Sequence, residues 1–194
     1  VFYHNNADAL YFSRFLKKSN YSVVGGSGIN LIKTKKSRET FHYPEKPPKI
    51  ALFSRLLIDK GVRHYFEATL KIFNSFPNMK GNIYLAGSFY KANLKSNVIT
   101  FKEVEGWVKQ GGIFLGQPDN IEKFYTNIDI ICLPSYREGI SNVLLEGASY
   151  GCILLTSNVP GCIDVIRNSS GIGFKAKSSD CLLYTSPSPR DVCS

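Results

Sequence analysis

Two glutamates, Glu138 and Glu146, flank Gly139-Ile140-Ser141-Asn142 within LPSYREGISNVLLEGASYG (133–151). Carboxylates accept paired hydroxyls, such as those of a sugar or a ribose. The apolar run IDIICLPS (128–135) has strand length, and NVLLEGASYG (142–151) has the apolar spacing of a short helix. Glu138 is therefore expected in a strand-to-helix loop and Glu146 inside the helix. The free backbone N–H groups of a helix start, here Gly139 to Val143, attract negative charge. Arg55 ends the strand-like KIALFSR (49–55), and Lys60 opens the next helix, so two cations can reach one diphosphate. A nucleotide sugar carries both the phosphates and the hydroxyls that these groups would take.

Metal is the usual alternative for holding a diphosphate. No aspartate has another two residues away, so the Asp-x-Asp clamp of metal-dependent sugar transferases is absent. Glu103-x-Glu105 falls in a predicted surface helix and reads as solvated. Neither metal nor cofactor is expected, and fixed cations are left to neutralise the phosphates. No G-x-G-x-x-G follows the first strand of the main run, and no Walker A lysine motif occurs. Gly26-Ser27-Gly28 reads as a turn, with a place near the ligand as the alternative.

These residues need a scaffold that brings strand ends to helix starts. Strand-like runs at 49–56, 82–88, 112–116, 128–135 and 152–157 alternate with helix-like runs at 60–76, 102–110, 120–127 and 143–151. Strands apolar throughout, alternating with helices, predict an α/β domain with a parallel sheet covered on both faces. Ligands of such sheets sit beyond the carboxyl ends of the strands, at helix N-termini.

The 194 residues are 43% hydrophobic and 20% charged, with a net charge of +9. No apolar run approaches the roughly 20 residues of a membrane span. The charge implies an anionic partner: a nucleotide, a phospholipid surface or a nucleic acid. Its positive residues are scattered, and the basic loop with Lys33, Lys35, Lys36 and Arg38 reads as solvated, with contact to anionic lipid as the alternative. The five cysteines contain no Cys-x-x-Cys pair, which fits a reducing compartment. His4, His42 and His64 receive no role, and Trp107 reads as helix packing.

SRLLIDKG (54–61), LPSYREGISNVLLEGASYG and TSNVPGCIDVI (156–166) together resemble the C-terminal, donor-binding domain of family 4 glycosyltransferases. KEVEGWVKQGGIFLGQPDNIEKF (102–124) is similar to members that build capsular polysaccharide or lipid-linked glycans. The similarity runs from about Val24 to Phe174. It implies half of a GT-B enzyme of two Rossmann-like domains, truncated at both ends. It also implies retaining, metal-independent transfer from a nucleoside diphosphate sugar, UDP-linked, to a hydroxyl of a glycan or lipid-linked glycan. Carried over, Arg55 and Lys60 bind the diphosphate and stabilise the leaving group, Glu138 holds donor-sugar hydroxyls and Glu146 holds the ribose. Backbone N–H groups of Gly139, Ile140, Ser141 and Asn142 complete the site. Two residues depart from the family pattern: Ser141 stands where proline is common, and Gly147 where alanine is usual. A glycine inside a helix costs roughly 1 kcal/mol, and neither side chain is expected to touch ligand.

The resemblance divides the chain into residues 1–28, a remnant of the acceptor-binding domain and linker, and 29–180, an incomplete nucleotide-sugar-binding domain. Residues 181–194, with CLLYTSPSPRD, resemble a translated sequencing adapter and are set aside. Without the acceptor domain the chain is expected to be inactive by itself. The cytoplasm is the expected location, with peripheral contact at the inner membrane face as an option. Two other functions compete. A non-hydrolysing sugar-nucleotide epimerase needs acid and base carboxylates from its own N-terminal domain. A nucleic-acid module needs a contiguous basic stripe with stacking aromatics, so no nucleic-acid partner is expected.

Overall fold

The computed structural model describes residues 1–15, 21–26, 28–29, 46–90, 97–166 and 171–174. Ser27, His42, the loop with Lys33, Lys35, Lys36 and Arg38, and residues 181–194 lie outside the described residues. The chain begins with β1 (Phe2–Tyr3), α1 (Asn6–Ser13) and β2 (Ser22–Val23). β1 and β2 pair in parallel as a small sheet of their own.

The main sheet follows: β3 (Ile50–Phe53), α2 (Val62–Ser75), β4 (Ile83–Ala86), α3 (Phe101–Val108), β5 (Ile113–Phe114), α4 (Ile121–Thr126), β6 (Ile130–Leu133), α5 (Asn142–Ser149), β7 (Ile153–Ser157), α6 (Pro160–Ile166) and β8 (Gly171–Phe174). Its six strands lie in the order β5-β4-β3-β6-β7-β8, all parallel. The α/β alternation read from the sequence is therefore present. α6 and β8 extend it beyond the predicted runs.

The pleat sends alternate side chains to opposite faces, and each face carries its own core. Leu52, Leu85 and Cys132 join Val62, Tyr65, Phe66 and Phe73 of α2 and Trp107 of α3 on one side. Ala51, Phe53, Ile131 and Leu133 join Phe124 and Tyr125 of α4, Leu144 of α5 and Cys162 of α6 on the other. Burial on both faces is why the central strands β3 and β6 are apolar at every position. Trp107 packs as expected: its ring stacks on Phe66 at 5.1 Å and its indole N–H donates to Thr69 Oγ1 at 2.9 Å. Cys132, Cys152 and Cys162 are buried thiols. Burial pushes the Cys162 thiol up to about 11, so it stays protonated and packs as a small hydrophobe.

Strand order grows from β3 in one direction through β4 and β5, and from β6 in the other through β7 and β8. The reversal leaves a crevice between the carboxyl ends of β3 and β6, the place where open α/β sheets bind ligands. Among the described residues, no helix is long and apolar enough to cross a membrane.

Candidate functional site

Two loops meet at the β3/β6 crevice. The first leaves β3 at Phe53, two residues before Arg55, and passes through a 3₁₀ turn, Ile58–Lys60, before α2 begins at Val62. Arg55 thus lies beyond the strand end, and Lys60 closes a turn instead of opening the helix as its spacing predicts. Gly61 explains the difference. Its φ is +73°, and a Cβ there would collide with the Pro134 carbonyl, so the turn must close tightly against the end of β6 before α2 can start.

The second loop leaves β6 at Leu133 and enters α5 at Asn142. Ser141 is the N-cap, accepting the Leu144 N–H at 3.3 Å through its hydroxyl. The departure from proline thus provides a helix cap. The departure at Gly147 has a packing cause: a Cβ would lie 3.0 Å from Ile131 Cγ1 and 3.2 Å from Leu154 Cδ2. The bare glycine seats α5 close on β6 and β7.

Between the loops lies a cleft of about 330 Å³ lined by Phe53, Ser54, Arg55, Lys60, Gln117, Leu133, Glu138, Ile140, Ser141, Asn142 and Val143. The structure brings six of the eight expected site residues to the lining of this cleft. Lys60 Nζ donates to Glu138 Oε1 at 2.8 Å, with both side chains largely buried. Ser135 Oγ donates to the same oxygen at 2.7 Å. Ser157 Oγ in turn donates to the Ser135 carbonyl. Glu138 is therefore held from below by a buried hydroxyl and from the side by a cation. Arg55 is exposed, and its guanidinium carbon lies 5.7 Å from the centroid of the Tyr90 ring.

Two expected residues are not among those lining the cleft. Glu146 sits one helical turn along α5 from Asn142, where Tyr125 OH donates to its Oε2 at 2.8 Å. Burial, followed by the Glu146 charge, drives the Tyr125 hydroxyl pKa far up, which fixes it as the donor. Gly139 turns its carbonyl to the Asn5 amide at 2.9 Å. His4 packs across Gly139, and Gly161 leaves no room for a Cβ beneath the carbonyls of Glu138 and Gly139. Gly26, with φ +76°, passes close to Ile140, a residue of the cleft lining.

Sequence reasoning missed Phe53, Ser54, Gln117 and Leu133 as lining residues. Gln117 follows β5 and Ser54 follows β3, so the strand-end rule could have found them. Asn5, Ser135 and Tyr125 carried no local signal.

The arrangement presents two cations and a helix start to an anion, with a carboxylate alongside for hydroxyls. Among the described residues no three His, Cys, Asp or Glu side chains cluster as a metal site would require.

Comparison with known proteins agrees in family and fold. The family model described as glycosyl transferases group 1 matches residues 47–184. The N,N'-diacetylbacillosaminyl-diphospho-undecaprenol alpha-1,3-N-acetylgalactosaminyltransferase of Campylobacter jejuni is 27% identical over 84% of this chain and 43% of its own length. The capsular polysaccharide biosynthesis glycosyltransferase CapM of Staphylococcus aureus is 27% identical over 87% of the chain and 45% of its own. The chain thus spans less than half the length of these relatives. Anabaena HepE, solved in complex with UDP, superposes with a TM-score of 0.74 at 15% identity over 94% of this chain and 51% of that one. Sucrose-phosphate synthase from Thermosynechococcus elongatus gives 0.71 at 21% identity, over 94% and 47%. These likenesses show the fold, that of GT-B enzymes. With the family model covering most of the sequence, the chain belongs to the glycosyl transferases group 1 family.

Proposed function

We propose that this chain is the donor-binding part of a glycosyltransferase that moves a sugar, with retention, from a UDP-sugar to a hydroxyl of a glycan or lipid-linked glycan. The observation that carries the reading is the convergence of Arg55, Lys60, Glu138 and the start of α5 on one cleft at the β3/β6 crevice. A volume of about 330 Å³ falls near the lower end of the roughly 300–1,000 Å³ of small-molecule sites.

As the sugar–phosphate bond breaks, negative charge grows on the diphosphate. Arg55 and Lys60 are placed to stabilise it without a metal, and the N–H groups from Gly139 to Asn142 add their dipoles. Glu138 offers acceptors to the sugar hydroxyls, and Glu146 offers its carboxylate to the ribose. HepE, bound to UDP in its crystal, supports the choice of base. The names of the two bacterial relatives support a diphospho-undecaprenol or capsular acceptor.

The small β1-α1-β2 sheet is assigned to the acceptor-binding domain, with the linker, over residues 1–28. Residues 29–180 form the donor domain, and 181–194 belong to neither. The assignment is supported by the exposed Phe2, Leu10, Tyr11 and Phe15, large apolar side chains of the kind that a further domain would cover. Action at the cytoplasmic membrane face is part of the same reading, supported by the net charge of +9.

Titration calorimetry with UDP tests the proposal. A charge-assisted hydrogen bond is worth roughly 1.5 to 3 kcal/mol, so Arg55→Ala should weaken UDP by about tenfold or more. Unchanged affinity would overturn it.

A further inference from the structure

Asn5 is 3% exposed, and a buried amide must place its donors and acceptor. Its Oδ1 accepts the Asp8 N–H at 2.8 Å, which makes it the N-cap of α1. Its Nδ2 donates to Asp8 Oδ2 at 3.0 Å and, across 134 residues of sequence, to the Gly139 carbonyl at 2.9 Å. A single side chain therefore both starts α1 and grips the loop between β6 and α5.

The gripped atom belongs to the peptide unit that joins Gly139 to Ile140. That unit is trans and planar, so its C=O and N–H point in opposite directions. With the carbonyl fixed on Asn5, the Ile140 N–H is directed away from α1, and Ile140 lines the cleft. Gly139 has no side chain to clash with His4, so the N-terminal segment can approach this closely. Gly161 packs against the same peptide, where a Cβ would meet the Glu138 and Gly139 carbonyls.

We propose that Asn5 is a positioning residue of the diphosphate site: it sets the Gly139–Ile140 peptide plane so that the Ile140 N–H is presented to phosphate. The inference rests on the nucleotide-sugar reading of the cleft. The neighbouring ion pair, Arg137 Nη2 to Asp8 Oδ1 at 3.1 Å, tethers the same two segments, but the Arg137 side chain is mostly exposed. It attaches α1 without touching the peptide plane.

The substitution Asn5→Ser separates the two duties of the side chain. Serine caps a helix about as well as asparagine but carries no amide to reach Gly139. Binding of UDP and of uridine to the 194-residue chain is followed by NMR titration, beside thermal unfolding. Wild type should prefer UDP to uridine. Asn5→Ser should lose about three- to tenfold of that preference, through UDP alone, with a melting temperature within about two degrees of wild type. Asn5→Asp, which keeps the shape and the acceptor, should lose as much, and serves if the serine variant does not fold. Arg137→Ala should keep the preference within about twofold. A wild type that does not prefer UDP overturns the diphosphate reading, and the inference with it. A wild type that prefers UDP while both Asn5 variants keep the full preference overturns the inference alone. An equal loss in Arg137→Ala also overturns it, because mere attachment of the segment would then suffice.

Discussion

Lys60 and Glu138, 78 residues apart in sequence, meet at 2.8 Å on the wall of the cleft. The cation proposed for phosphate and the carboxylate proposed for sugar thus hold each other. Glu138→Ala should release Lys60 and leave UDP affinity unchanged or tighter, while weakening a UDP-sugar. Lys60→Ala should weaken both ligands. Parallel calorimetric titrations check this, and equal losses of UDP in the two variants would contradict the division.

Tyr125 bears on Glu146 in the same way. Its ring is buried and stacks on Tyr150 with centroids 5.5 Å apart, so Tyr125→Phe should fold. Without the hydroxyl, Glu146 loses the donor that orients its carboxylate. Wild type should favour UDP over 2′-deoxy-UDP, and both Tyr125→Phe and Glu146→Ala should reduce that preference by severalfold. Competition titrations of the two nucleotides decide it, and a preference retained in Tyr125→Phe shows that the hydroxyl is not needed.

Two glycines should respond oppositely to alanine. At Gly161 the new methyl meets the carbonyls of Glu138 and Gly139, an overpacking that costs typically about 1–3 kcal/mol. At Gly106, exposed within α3, nothing lies within 4 Å, and alanine should add about 0.5–1 kcal/mol through helix propensity. Denaturant titrations of Gly161→Ala and Gly106→Ala should move the midpoint in opposite directions.

A pH dependence follows from Glu103. Burial by itself raises its carboxyl pKa, but the donors outweigh it and hold the group below its ordinary value. They are Arg63 Nε at 2.7 Å and the Thr100 N–H and hydroxyl at 2.8 and 2.7 Å. A depressed folded-state pKa contributes stability that is fully present above the unfolded-state value and is lost as pH falls through the folded one. Glu103→Gln should therefore lower the melting temperature at neutral pH. The gap to wild type should close as the solution is acidified through the carboxylate range. A gap independent of pH would show that the charge contributes nothing.

β3, β4, β6 and the first three residues of β7 could be read from sequence because burial on both faces favours apolar residues in them. Arg55, Lys60 and Glu138 could be read because a strand end followed by a loop places them at the sheet edge. The 3₁₀ turn at Ile58–Lys60 was hidden, since its cause is the Pro134 carbonyl against Gly61 and no periodicity encodes a contact between distant loops. The displacement of Gly139 and Glu146 from the cleft lining was hidden for the same reason, because it depends on Asn5 and Tyr125. α6 is a different case: Pro160 opens it, and proline in a helix's first turn is a legible start signal.

The seating of Gly61 on the Pro134 backbone also governs how the cleft meets its ligand. Lys60 and the Glu138 loop are spaced by main chain on main chain, so the entropy of ordering them is lost when the protein folds. Arg55, out on an exposed loop, rests over the Tyr90 ring and would have to leave that contact to reach a ligand. Under the proposed function, capture would then divide in time. A diphosphate would first land on a finished half of the site, at a rate set by diffusion and charge, and Arg55 would close over it afterwards, so that residence time would depend on the arginine more than the arrival rate does.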